Sequence, residues 1–214
     1  MTGGGMVLPY ITVEQQAQDE FVERRSRFIG TVAPVRTEEE AIAFVGEMRS
    51  RYKDATHNVY AYILREGSTC RFSDDGEPQG TAGKPVLEVL QKEGLTDVAV
   101  VVTRYFGGIL LGTGGLVHSY TQGAKCALDA AKILHMTPAV RVELDIGYDF
   151  YGKLTYILPD YDIVTEASDF AEGIRLRLLI KADRLSEFSA QLLELSGGIV
   201  KPFPLAELYA DFDL

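Results

Sequence analysis

The chain has 214 residues, 46% of them hydrophobic, a formal net charge of −10 and an isoelectric point near 4.8. That supports one large or two small globular domains with a real core. The acidic balance argues against broad non-specific nucleic-acid binding, which needs a positive field. No apolar run approaches the ~20 residues of a membrane span. The Gly-rich start lacks the basic end and long apolar run of a signal peptide, so residues 1–9 are expected to be a disordered tip and the protein cytoplasmic. Cys70 and Cys126 lie 56 positions apart, outside any CxxC or Cys/His cluster. Two buried thiols in a reducing compartment are expected, with neither a disulfide framework nor a zinc site. Up to Met136 the chain carries 14 Lys+Arg against 17 Asp+Glu, and beyond it 7 against 14. An anionic ligand would therefore favour the first part.

Residues 26–35 (SRFIGTVAPV) form an extended run that ends near Pro34. Thr37 follows as a helix N-cap, with Glu38, Glu39 and Glu40 facing the positive end of the helix dipole. Ala41, Phe44, Val45 and Met48 then keep helical spacing. Residues 58–64 and 69–73 are strand candidates, and Asp74-Asp75-Gly76-Glu77-Pro78 is turn chemistry. Pro85 fits the first turn of a helix that stops at Gly94. Residues 97–106 contain Val98-Ala99-Val100-Val101-Val102, the continuous apolar run of a strand buried on both faces. A Gly-rich turn and a helix over residues 115–132 follow, and Pro138 marks a boundary. Beyond it come a strand (140–148), a helix (150–158), two strands (163–168 and 173–181), a helix capped by Asp183 and ending at Gly197-Gly198, and a last strand (199–208). The order is β-α-β-β-α-β, the ferredoxin-like order. Two domains follow, 10–136 and 139–214.

The strongest constellation is the strand, turn and helix start from Arg104 to Gly115. Gly107, Gly108, Gly112, Gly114 and Gly115 fall within nine positions. Glycine permits positive φ and close backbone approach, and a Gly-rich helix start presents N–H groups to an anion. Arg104 could add a guanidinium fork for phosphate or carboxylate. The structural alternative is a tight connection with Arg104 in an ion pair. Named nucleotide motifs do not fit. Before Gly83-Lys84, position 78 is Pro where a phosphate loop needs Gly, and position 85 is Pro where it needs Ser or Thr; position 117 is Val, which breaks dinucleotide spacing. The polar stretch from Phe72 to Pro85 offers Asp74, Asp75, Thr81, Gly83 and Lys84 to a ligand. Its carboxylates lack calcium-loop spacing, and no metal or cofactor is expected. His57 could act as a general base or as a hydrogen-bonded structural residue. His118 and His135 read as structural. No serine sits in a nucleophile elbow.

Three blocks carry a resemblance: Ala55-Thr56-His57-Asn58-Val59-Tyr60-Ala61-Tyr62; Phe72 to Pro78 with Gly80-Thr81-Ala82-Gly83-Lys84-Pro85; and Val101-Val102-Thr103-Arg104-Tyr105-Phe106-Gly107-Gly108-Ile109-Leu110-Leu111-Gly112. With Ser26-Arg27-Phe28-Ile29 they resemble the IMPACT/YigZ family over residues 20–130, and the unbroken spacing from Gly83 to Gly112 matches its signature. The resemblance implies an α+β protein whose N-terminal domain has the ribosomal protein S5 domain 2-like fold. It also implies a ferredoxin-like C-terminal domain similar to the last domain of elongation factor G. It further implies a translation-associated role: binding RNA, the ribosome or a translation-control protein through the Gly-rich face, with Tyr105 and Phe106 beside the glycines. Eukaryotic relatives are tied to translational control through competition for an activator of a stress kinase. The alternative is an enzyme or binder for a phosphorylated small molecule or nucleotide at Arg104–Gly115. Transfer by fold alone is analogy.

Overall fold

The structure, a computed structural model, describes residues 8–213; the expected N-terminal tip falls largely outside them. The chain divides into two compact units, Tyr10–Leu134 and a second made of His135 onward with Leu8 and Pro9.

The first unit contains β1 (Tyr10–Val13), β2 (Ala17–Glu23), β3 (Ser26–Pro34), α1 (Glu38–Arg51), β4 (His57–Leu64), β5 (Thr69–Ser73), α2 (Gly83–Lys92), β6 (Val98–Tyr105) and α3 (Gly112–Asp129). Its main sheet has the order β2-β3-β6-β4-β5, with all neighbours antiparallel. β6 lies in the middle and is buried along all but its last residue, which is why its apolar run is continuous. One sheet face packs Phe28, Val32, Val59, Val100 and Val102 against α2 and α3. The other packs Ala33, Tyr62, Ala99 and Val101 against Phe44, Val45 and Met48 of α1.

Local chemistry accounts for the helix ends. Thr37 Oγ1 accepts from Glu40 N at 3.2 Å, and the Glu40 carboxylate accepts from Arg36 N at 2.7 Å, a reciprocal cap of the capping-box kind. Helix α2 has no cap from its own N-cap residue, Ala82. The distant Asp74 carboxylate accepts from Gly80 N (2.8 Å), Ala82 N (3.1 Å) and Gly83 N (2.8 Å) instead. Helix α3 crosses β3 and β6 at glycine: a Cβ at Gly30 would collide with the Gly123 carbonyl, and one at Gly123 would lie 2.6 Å from Val102 Cγ1.

The second unit is built from β7 (Ile133–Ile146), α4 (Tyr148–Ile157), β8 (Val164–Phe170), β9 (Ile174–Lys181), α5 (Leu185–Leu195) and β10 (Phe203–Asp211). Its strands run β10-β7-β9-β8, all antiparallel. Leu144, Ile174, Leu176, Leu178 and Ile180 of the sheet bury against Leu154, Phe188 and Leu192 of the two helices. This is the expected ferredoxin-like βαββαβ arrangement. The whole chain is α+β, as the resemblance implied.

Several expectations are corrected. Pro138 lies within β7, where its carbonyl accepts from Ala182 N at 2.9 Å and only its missing N–H is lost to the ladder. Asp183 does not cap α5; Arg184 occupies that position without a side-chain cap. The last strand begins at Phe203, because Ile199 N and Val200 N both donate to Ser196 Oγ at the end of α5. Cys70 is exposed on the edge strand β5, and only Cys126 is buried. His118 and His135 are exposed rather than built into a core. Among the described residues no helix is long and apolar enough to cross a membrane.

Candidate functional site

The end of β6, the turn after it and the start of α3 meet the 74–78 turn around a cleft of about 450 Å³. Register brings its polar floor together. β4 and β6 pair His57 with Arg104, and Thr103 Oγ1 donates to Asn58 Oδ1 at 2.8 Å one step further in. Glu77 reaches the same point from the turn. Its Oε1 accepts from Arg104 Nη1 at 2.6 Å and from the Tyr120 hydroxyl at 2.7 Å. The Arg104 and Glu77 side chains are only 6% and 4% exposed, so each charge depends on the other for compensation. Burial, reinforced by Glu77, pushes the Tyr120 hydroxyl far above the usual phenol range, so it remains a donor.

The expected phosphate fork is corrected here. Arg104 is a buried structural cation. Its guanidinium carbon lies 5.6 Å from the Phe28 ring centroid and 5.4 Å from that of Phe106, and Phe21 stacks on Phe28 at 5.2 Å. Its Nε is buried without a partner.

His57 Nδ1 lies 2.7 Å from the Asp75 carbonyl. A carbonyl only accepts, so Nδ1 carries the hydrogen and Nε2 is the bare nitrogen of the neutral ring. Nε2 is 3.7 Å from Glu77 Oε1, beyond hydrogen-bond distance. Asp75 adopts a positive φ of 46° and turns its carboxylate to Asn58 N (2.7 Å) and Arg49 (2.6 Å). The acidic turn thus positions its neighbours, and among the described residues there is no cluster of three or more His, Cys, Asp or Glu with metal-holding geometry.

The cleft walls are apolar: Pro78, Phe106, Leu110, Leu111 and Leu116, with Thr56, Gly112 and Thr113 between them. Phe106, Ile109 and Leu110 are 45%, 39% and 82% exposed. Of the residues singled out in the sequence, His57, Arg104, Phe106 and Gly112 line this cleft. The others serve the scaffold or lie elsewhere. Asp74 caps α2. The buried Thr81 hydroxyl donates to the Pro78 carbonyl at 2.7 Å. Gly83 allows the backbone to approach Ser73, whose carbonyl would lie 2.7 Å from an added Cβ. Lys84 is exposed beside Glu88 on α2. Tyr105 donates to Asp54 at 2.9 Å. Gly107 lies against the Arg25 carbonyl, while Gly108 has a φ of +85° and Gly112 one of +71°. Gly114 has open space around it, and α3 begins at Gly112 with no side-chain cap.

Sequence reasoning passed over Glu77 as one carboxylate of a turn, and Tyr120 as a helix-face residue. It also missed β2 and the Arg24-Arg25 turn that joins it to β3. β2 (AQDEFVE) is a mostly exposed edge strand without a strong apolar alternation. The Arg-Arg pair just ahead of the predicted strand was the available signal.

Residues 24–128 match the model of the Impact N-terminal domain, and residues 144–198 match a domain of unknown function, DUF1949. The chain is 34% identical over 194 residues to IMPACT family member YvyE of Bacillus subtilis (strain 168), covering 90% of this chain and 89% of that protein. It is 37% identical over 187 residues to IMPACT family member YigZ of Escherichia coli (strain K12), covering 86% and 92%. A crystal structure described as that of a hypothetical protein is similar with a TM-score of 0.60 and 33% identity, covering 94% of this chain and 99% of the other. Protein IMPACT-A of Xenopus tropicalis is 36% identical over 104 residues, 47% of this chain and 33% of that one. The domain match and the relatives covered over most of their length agree: the chain belongs to the IMPACT family.

Proposed function

We propose that this protein is a translation-associated regulator that acts by binding, and that a protein partner docks on the Gly-rich turn of its first unit. Family membership supports a translation-regulatory type of role. The observation that favours a protein partner is the exposure of Phe106, Ile109 and Leu110 together on the turn that borders the cleft. Clustered apolar side chains of this kind mark interaction surfaces. The cation once expected to greet phosphate is consumed by Glu77, which weakens the RNA version of the role. Photocrosslinking in cells from a benzoylphenylalanine placed at position 110 tests the reading. The expected product is an adduct with a protein of the translation apparatus, diminished by Phe106→Asp. Adducts only with RNA, or none, would overturn it.

A phosphorylated small molecule is the second reading. The uncapped start of α3 and the unpartnered Arg104 Nε favour it. Thermal shifts with nucleotides and sugar phosphates check it; stabilisation abolished by Thr113→Pro at the helix start is expected on this reading, and no shift with any of them removes it.

A further inference from the structure

We infer that the occupant of the turn face is an extended protein segment in which an apolar side chain is flanked by carboxylates. This rests on the protein-docking reading above and adds the chemistry of the partner. The new observation is the hairpin between β2 and β3. Glu23 pairs with Ser26, leaving Arg24 and Arg25 as a two-residue turn with φ of 46° and 66°. Two positive φ values define the turn type that favours Asn-Gly, and arginine carries a steric penalty at both places. Nothing in the hairpin's own hydrogen bonding requires arginine there.

This tip lies directly on the Gly-rich turn. Gly107 N donates to Ser26 Oγ at 3.2 Å, and a side chain at Gly107 would collide with the Arg25 carbonyl. On the other flank, the 53–56 loop is tied to the same turn, with Phe106 N donating to Thr56 Oγ1 at 3.1 Å and Tyr105 donating to Asp54. That loop carries the exposed Lys53. Among the described residues, Arg25 and Lys53 make no ion pair, and Arg24 makes only a loose one with its neighbour Glu23 at 3.8 Å. Nearby Arg27, Arg49 and Arg104 are each taken by a carboxylate. In a chain of net charge −10, segments carrying available cations therefore flank the Gly-rich turn whose Phe106 and Leu110 help to wall the apolar cleft. An apolar cleft beside a turn flanked by cations complements an acidic segment that inserts one large apolar side chain. RNA fits less well: of the three exposed apolar side chains only Phe106 offers a base a ring to stack on, and the Arg104 cation of the cleft floor is paired with Glu77.

The test uses the full chain and short fluorescent peptides. One carries a single Phe among Glu residues. A second replaces Phe by Ser, and a third replaces every Glu by Gln; a labelled oligouridine is the RNA arm. Binding of the first peptide alone is expected, weakening with salt. It should fall at least about tenfold in Leu110→Asp, the scale of a central interface residue. The decisive variant is Arg24→Asn with Arg25→Gly. It installs the residues that this turn prefers, so the melting temperature should hold or rise while acidic-peptide binding drops about tenfold with the two charges. Equal binding of the Gln peptide, preference for the RNA, no binding of any peptide, or unchanged binding by this variant would overturn the inference. If the position-110 crosslink still captures a translation protein, the docking reading stands and only the acidic chemistry fails.

Discussion

Glu77 Oε1 and Arg104 Nη1 meet at 2.6 Å in a region where neither side chain is more than 6% exposed. One residue comes from an irregular turn and the other from the central strand, so the pair fastens the loop to the sheet beneath the cleft. Truncating one partner leaves an uncompensated buried charge. Glu77→Leu is expected to destabilise the protein by about 3–5 kcal/mol in urea unfolding. Glu77→Leu combined with Arg104→Met should cost much less than the two single changes added. Additive losses would show that the pair is not coupled.

Glycine has opposite meanings at two positions. A Cβ at Gly30 meets the Gly123 backbone, while one at Gly46, inside α1, meets nothing within 4 Å. Gly30→Ala should cost at least about 2 kcal/mol by overpacking, because backbone must move. Gly46→Ala should stabilise by up to about 1 kcal/mol through helix propensity. Thermal denaturation of both variants reads the two signs side by side.

The ion pair of Arg141 and Glu166 bridges β7 and β8, and the Arg141 hydrogen bond holds the Glu166 carboxyl below its ordinary value of 4.5. The unfolded chain therefore binds the proton more readily. The pair's contribution is fully present above pH about 4.5 and is lost as pH falls through the folded-state value. Wild type and Glu166→Gln should differ in urea midpoint at pH 7, and the difference should close towards pH 3. A gap that persists in acid would contradict this assignment.

The two thiols should separate cleanly. Burial raises the Cys126 thiol to about 11, and its Sγ lies within the packing of α3, whereas Cys70 is exposed. Thiolate is the reacting species. Native protein at pH 8 is expected to react fast with one equivalent of a disulfide reagent, and with two after unfolding. Cys70→Ser should remove the fast phase.

Much of the fold was legible in local pattern. The apolar run from Val98 to Val102 announces a central strand because both its faces are covered. Thr37 with Glu40 announces a helix start because the cap is made within four residues. The alternations after Pro138 announce βαββαβ. Edge elements were harder to read: β2 is exposed, and Ile199 and Val200 donate their N–H groups to the Ser196 hydroxyl at the end of α5 instead of to a strand.

The site divides along the same line. By itself the sequence determined that Arg104 to Gly115 forms a strand, a glycine turn and a helix start, and that its spacing marks the IMPACT family. Only the tertiary structure decided what Arg104 does there. Its partner Glu77 is 27 positions away and its neighbour Phe28 lies on another strand. No local spacing encodes a pairing made by sheet register and a folded-back turn. The same is true of the Arg24-Arg25 tip, whose contact with Gly107 crosses about 80 positions and sets charge beside a turn that reads locally as a phosphate cradle.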